Sequence, residues 1–331
     1  MSRAAASAPS RIDLAGGTLD IWPLYLLHDG AMTVNVSIEL RARVEARSAS
    51  GGRMELISRD RGLRAVRPMA RPVRVGEKLE LLARLAGTLG PRRGVRLESS
   101  CEAPAGSGLG GSSTLAIAAG AALGRLCGRR LDGEKLIPFI RDEEVKVIRI
   151  PAGIQDYYPA FYGGAMALHL ESGRVRREPI PIDAGSFASR VVLCDSGKSR
   201  ASGMSNWDMI RRRISGERKV AVHMQAIVEA ASGMRRALLA SDWDAAGEAL
   251  DLEGRARRRL SPLVETPRIA SLMRAARRAG AIGGKVCGAG GGGCVAFIVR
   301  AGRRASVEAA LTKAGGKPLP VALARRGIVW D

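Results

Sequence analysis

Between residues 31 and 48 the chain reads AMTVNVSIELRARVEARS. Val34, Val36, Ile38 and Leu40 fall on one side of an alternating pattern, which predicts a half-buried strand. GRMELIS and GVRLESSCEA predict two more strands, the second running straight into the glycine-rich stretch APAGSGLGGSSTLAIAAG at 103–120. Residues 112–128 and 133–148 carry helical patterns, GGAMALHLESG reads as a hairpin arm, and 189–197 as another strand. From about residue 203 long helical periodicity takes over, with further helices near 244–260 and 267–279. A strand, a second glycine run (CGAGGGGC, 287–294), the strand VAFIV, a helix at 303–314 and a last strand near 321–330 close the pattern. This order predicts an α+β fold in two lobes with a boundary between 180 and 200, set here as 1–190 and 191–331.

At 331 residues and 46% hydrophobic composition, the chain is long enough to bury a full core. Its five cysteines are scattered without CxxC spacing, which argues against a disulfide framework or a zinc site and for a reducing cytoplasm. The start lacks a continuous apolar segment, and no run approaches the roughly 18 apolar residues of a membrane span, so no membrane association is expected. The net charge of +21 raises nucleic acid as a partner. Against that, the clusters Arg211–Arg213 and Arg255–Arg259 sit among apolar residues at helical spacing, and aromatics are only 4% of residues. The charge reads as a solvated arginine-rich surface that favours small anionic ligands, with no nucleic acid partner.

Gly106-Ser107-Gly108-Leu109-Gly110-Gly111 spells GxGxxG between a strand and a helix, but the second strand and its terminal acid required for dinucleotide binding do not follow. Gly197-Lys198-Ser199 lacks the upstream glycine of a Walker loop. A turn needed only for tight packing is one remaining reading. The other is a phosphate cradle, in which glycines let backbone N–H groups converge and the following helix adds its unpaired amides and dipole. Ser112, Ser113 and Thr114 lie at the helix mouth, where a hydroxyl serves as N-cap or as a magnesium ligand.

Phosphoryl transfer also needs a metal carboxylate and a group that orients the nucleophile. Glu144, in a predicted helix, reads as an exposed carboxylate or a metal ligand. Asp156, after a Pro-Ala-Gly turn, is an acid in an apolar setting that is costly to bury without purpose. SRIDLAGGTLDIWP (10–23) places Arg11, Thr18 and Asp20 around a double glycine just before an expected strand, a combination suited to polyol hydroxyls.

RIDLAGGTLD, PAGSGLGGSST and KVCGAGGGGCVAF, in this order, resemble the three motifs of the GHMP kinases (galactokinase, homoserine kinase, mevalonate kinase, phosphomevalonate kinase). GIQDYYPAFYGG, DSGKSRASG and GIVWD resemble most the sugar kinases around D-glycero-D-manno-heptose 7-phosphate kinase, with fucokinase-type enzymes nearby. The resemblance implies a ribosomal S5 domain 2-like N-terminal lobe and a ferredoxin-like C-terminal lobe, with ATP and a sugar or sugar phosphate in the cleft between them. It implies ATP and Mg2+ as cofactors and a monomer or homodimer. Carried onto this chain, it assigns the phosphates to Gly106, Ser107, Gly108, Leu109, Gly110, Gly111, Ser112 and Ser113, and the metal to Ser112 (or Ser113) and Glu144. Asp156 becomes the base or electrostatic anchor, and Arg11 steadies the transferring group. Thr18, Asp20, Asp156, Arg200 and Gly290 face the acceptor, and Lys198 or Arg200 would meet a phosphate already on it.

Two departures fall where the acceptor is recognised: Thr18 is displaced by one residue from the heptose-kinase pattern AGGGTD, and Tyr157 replaces the glutamine of QDQY. A kinase for fucose, galactose, mevalonate or homoserine, and a non-catalytic sensor of the same fold, are the alternatives.

Overall fold

The computed structural model describes residues 2–197 and 204–331. The N-terminal lobe runs β1 (Arg3–Ala15), β2 (Met32–Ser48), β3 (Arg53–Ser58), β4 (Leu63–Pro68), α1 (Glu80–Leu89), β5 (Val95–Cys101), α2 (Gly111–Leu126), α3 (Gly133–Ile148), α4 (Tyr157–Tyr162), β6 (Ala165–Glu171) and β7 (Arg174–Ile180). Then follow α5 (Ala184–Arg190), β8 (Val191–Asp195), α6 (Met204–Ile214), α7 (Arg218–Leu239), α8 (Trp243–Leu260), α9 (Pro267–Ala279), β9 (Ala281–Val286), β10 (Cys294–Val299), α10 (Arg304–Lys313) and β11 (Lys317–Leu319). The two-residue β12 (Val329–Trp330) returns to pair with β1.

The larger sheet has the order β12-β1-β2-β5-β3-β4, and β6 extends it from the other end of the long strand β2 and carries β7. Its one parallel pair is β3 with β5, which α1 connects as a crossover. The smaller sheet, β11-β8-β10-β9, is wholly antiparallel, and with helices between β8 and β9 and between β10 and β11 it has the ferredoxin-like arrangement.

Helix α2 is a run of small residues because it is enclosed on all sides. A Cβ on Gly120 would come within 2.8 Å of Ile140 on α3. A second core joins the lobes: Ile12, Val34 and Val36 of the large sheet pack with Met234 of α7, Leu250 of α8 and Ala296 of β10. Residues deep in the cleft therefore rest on a continuous interior.

Three expectations need correction. The motif around Arg11 does not precede a strand: Arg11 and Asp13 lie inside β1, and Asp20 is followed by a single 3-10 turn at Leu24–Leu27. Strand β1 escapes the alternating pattern because both its faces are covered, and a β-bulge at Pro9/Ser10 accommodates its proline. The expected final strand at 321–330 is instead β12 alone, plus an isolated bridge between Leu323 and Ile38. The helical run after 203 breaks at Gly216, whose φ of 78° separates α6 from α7.

Candidate active site

A cleft of about 830 Å3 opens between the lobes, and the glycine stretch after β5 forms its floor. Gly106, Gly108 and Gly110 all have φ between 70° and 77°, the left-handed region that side chains disfavour. Space is as restrictive as conformation, since a Cβ on Gly108 would lie 2.3 Å from the Cys287 carbonyl oxygen. The closing glycine run is pressed against the first: Cys294 donates its N–H to the Ser107 carbonyl at 2.8 Å, and a Cβ on Gly293 would come 2.7 Å from that same oxygen. Two bare backbones thus support each other.

Gly106, Ser107, Gly108, Gly110, Gly111, Ser112 and Ser113 line the cleft, as does Gly290 of the second run. Leu109 does not. Its side chain is buried in the inter-lobe core, and its carbonyl accepts the Arg11 N–H at 3.1 Å. The N-cap of α2 is Gly110, so no hydroxyl caps the helix, correcting that reading of Ser112, Ser113 and Thr114. Ser112 is exposed to the cleft and Ser113 is buried.

Arg11 ties this loop to Asp156. Its Nε and Nη2 donate to Asp156 Oδ1 at 2.9 and 2.5 Å, and its Nη1 to the Gly108 carbonyl at 2.6 Å. Burial opposes the guanidinium charge, but the Asp156 and Asp13 carboxylates outweigh it and raise the Arg11 pKa. Asp156 is 28% exposed, with Oδ2 on the side of Gly110.

Glu144 is 5% exposed, so it is not a solvated helix carboxylate. Ser113 Oγ and Tyr157 OH both donate to its Oε2, each at 2.8 Å. Burial raises its pKa, against hydrogen bonds from Ser112, Tyr157 and Ser113. Tyr157 is 1% exposed and its pKa is raised well above the phenol range by burial and by Glu144. Its hydroxyl donates to Glu144, and the residue also lines the cleft. Among the described residues no three His, Cys, Asp or Glu side chains form a metal-ligand group. A divalent cation here would rest on Glu144, a serine hydroxyl, water and phosphate oxygens, the usual donor set of Mg2+ at a nucleotide.

Opposite lie Thr18 and Asp20. Thr18 has φ 88°, an uncommon conformation for a β-branched residue. Asp20 Oδ2 accepts the Gln155 N–H at 3.0 Å. Gly153 is required beside it, since a Cβ there would lie 1.9 Å from that oxygen. Burial, opposed by the Gln155 N–H and reinforced by Asp156, pushes the Asp20 pKa up to about 6. Lys198 and Arg200 lie outside the described residues.

Sequence reasoning missed four charged residues here. Asp13 and Arg257 line the cleft, and Lys285 and Glu253 stand behind it. Arg257 belongs to the arginine cluster read as solvated surface, yet it is 5% exposed and donates to the carbonyls of Val286 and Gly288. Its place on the buried stripe of α8, with Leu250, Glu253, Gly254 and Leu260, was the available signal.

Comparison with known proteins agrees with this geometry. The profile described as GHMP kinases N terminal domain matches residues 75–164, and that described as GHMP kinases C terminal matches 234–317, together more than half of the chain. A mevalonate kinase of Thermococcus gammatolerans is 28% identical over 264 residues, covering 77% of this chain and 73% of the relative. The D-glycero-alpha-D-manno-heptose 7-phosphate kinase of Campylobacter jejuni is 27% identical over 236 residues, covering 70% and 69%. In fold, the chain is similar to a crystal structure of a D-glycero-D-manno-heptose 1-phosphate kinase from Bacteroides thetaiotaomicron (TM-score 0.80, 22% identity, covering 99% and 98% of the two chains). It is also similar to Lactococcus lactis galactokinase (TM-score 0.79, 17% identity, covering 99% and 95%). With the glycine cradle, the two-lobed fold and both family domains in place, the chain belongs to the GHMP kinases, phosphotransferases that use ATP to phosphorylate an alcohol group.

Proposed function

We propose that this chain transfers the γ-phosphoryl group of ATP to a hydroxyl of a sugar or sugar phosphate, with a heptose 7-phosphate as the preferred acceptor. In this reading residues 1–190 form the ATP-binding domain and 191–331 the C-terminal domain. The observation that carries it is the acid-lined acceptor side of the cleft: Asp20, Asp13 and Asp156 all border it. Carboxylates accept hydrogen bonds from hydroxyls, so this lining suits a polyol acceptor.

The backbone amides of Gly106–Ser113 and the N-terminus of α2 hold the ATP phosphates. Mg2+, when bound, would neutralise phosphate charge, with Glu144 and Ser112 or Ser113 as its protein ligands. Tyr157 and Ser113 hold Glu144 by Oε2, fixing its carboxylate beside the serines. Arg11 anchors Asp156 by Oδ1, so that Oδ2 is available to line up the acceptor hydroxyl and take its proton as transfer proceeds. Thr18 and Asp20 orient the remaining hydroxyls, with Gly290 on the opposite wall and Arg200 toward a phosphate already present. Positioning and preorganised charge then supply most of the rate.

The test is a panel of free and phosphorylated heptoses, hexoses and 6-deoxysugars, with mevalonate and homoserine, read by ADP release. The expected result is the highest kcat/KM on a heptose phosphate. A preference for mevalonate, as the Thermococcus relatives' name invites, would overturn the acceptor assignment.

A further inference from the structure

The charges behind the acceptor loop play no part in the transfer steps above. Lys285, on β9, is wholly buried, with its ammonium 2.5 Å from Glu253 Oε1 on α8 and 2.9 Å from Asp13 Oδ1 on β1. Both acids are as deeply buried as the lysine. With Arg257 one turn along α8, two carboxylates meet two cations, and such a set survives burial only while its members hold one another in place. Burial pushes both acids up. Lys285 and Arg11 pull Asp13 back below its ordinary range, while Glu253 stays above its own.

Glu253 makes one contact that the charge cluster does not need: its Oε2 accepts the backbone N–H of Gly16. Gly16 opens the loop that carries Thr18 and Asp20. The loop's entry is restricted, since Gly16 has φ 89° and a Cβ there would come 2.0 Å from the Met32 carbonyl oxygen. Thr18, two residues on, also has positive φ. For Thr18 this region is sparsely populated, and backbone held there persists only where its surroundings fix it.

We propose that Glu253 is a positioning residue for the acceptor: from the C-terminal lobe it pins the Gly16 N–H and through it the Thr18–Asp20 loop, while Lys285 and Asp13 hold Glu253 in register. The inference rests on the reading that Thr18 and Asp20 face the acceptor. Arg257 extends the same anchor to the closing glycine run through the Gly288 carbonyl, so α8 sets both walls of the acceptor site.

Two single variants of the full chain differ in whether Gly16 keeps an acceptor. Glu253→Gln leaves an amide oxygen for the Gly16 N–H and Glu253→Leu leaves none, while Lys285 stays paired with Asp13 in both. With D-glycero-D-manno-heptose 7-phosphate as acceptor, the Leu form should raise the acceptor KM roughly tenfold, the usual effect of losing one charge-assisted hydrogen bond. Its ATP affinity by calorimetry should stay unchanged, its Gly16 amide should exchange with deuterium at least about tenfold faster, and the Gln form should stay near wild type on every readout. Equal Gly16 exchange in the two variants would overturn the anchor, and faster exchange with an unchanged acceptor KM would overturn the positioning role. Should the Leu form fail to fold, the wild-type amide decides: slow exchange at Gly16 supports the anchor, and exchange as fast as an unbonded loop amide overturns it. A wild type that phosphorylates no sugar in the panel would instead refute the acceptor reading, and the Gly16 exchange comparison would then judge the anchor by itself.

Discussion

The two halves of the cleft are built on opposite plans. On the side proposed for the nucleotide the surface is backbone: three left-handed glycines, the mouth of α2, and a second glycine run packed so closely that a Cβ added at Gly108 would have no room. On the side proposed for the acceptor it is side chains, with Thr18 and Asp20 from the loop after β1 and Asp156 from the start of α4. A triphosphate is the same for every kinase and is gripped by amides that no mutation short of a new side chain removes. An acceptor is recognised by charges whose placement depends on the rest of the fold.

Asp156 stands at the seam, held to the donor loop through Arg11. Asp156→Asn should lower kcat by roughly a hundred- to ten-thousandfold, the usual size of a general-base loss, while ATP affinity by calorimetry stays nearly intact. Near wild-type turnover would remove Asp156 from the chemistry.

Gly108→Val attacks the donor half first. The new side chain must displace either its own loop or the Cys287 carbonyl, forfeiting at least two hydrogen bonds to phosphate, about 3 kcal/mol or more and thus roughly a hundredfold or more in nucleotide affinity. Unchanged binding would place the phosphates elsewhere.

Asp20 tests the acceptor half through pH. Its folded pKa of about 6 lies above the unfolded value of 3.8, so the folded state binds this proton more tightly. Its contribution to stability is full below the unfolded value and is lost as pH rises through 6, a swing of about 3 kcal/mol. Asp20→Asn should therefore melt higher than wild type at pH 8 and close to it at pH 4. The same variant should raise the acceptor KM above pH 6, and the wild-type acceptor KM should climb as pH falls below 6. A flat profile with an unchanged KM would take Asp20 out of recognition.

The smallest effect belongs to Tyr157→Phe. Loss of one hydrogen bond to Glu144, about 1 kcal/mol, should raise the Mg2+ concentration needed for half-maximal ATP binding roughly fivefold and leave the acceptor KM alone. A shift in acceptor KM with no change in Mg2+ dependence would return Tyr157 to the acceptor side and blur the contrast between the halves.

These halves were unequally legible in the sequence. The helical patterns of α3, α8 and α9 could be read because each keeps one wet face, whereas β2 does so only from Glu39 on: its alternation before that was legible because Thr33, Asn35 and Ser37 are polar although buried. Strand β1 could not, since an alanine-rich strand covered on both sides shows no period. Glu144 looks the same on paper whether α3 turns it to solvent or to Ser113, and only the fold brings the Tyr157 hydroxyl to it.

The chain by itself determined what is local: where side chains had to be absent, which runs coil or extend, and the three motifs whose order marks the family. Tertiary structure decided which charges lose their water. Glu253 meets Gly16 across 237 residues and Arg11 meets Asp156 across 145. The reason is physical: a glycine's freedom belongs to one residue, whereas the energy of a buried charge belongs to everything packed around it.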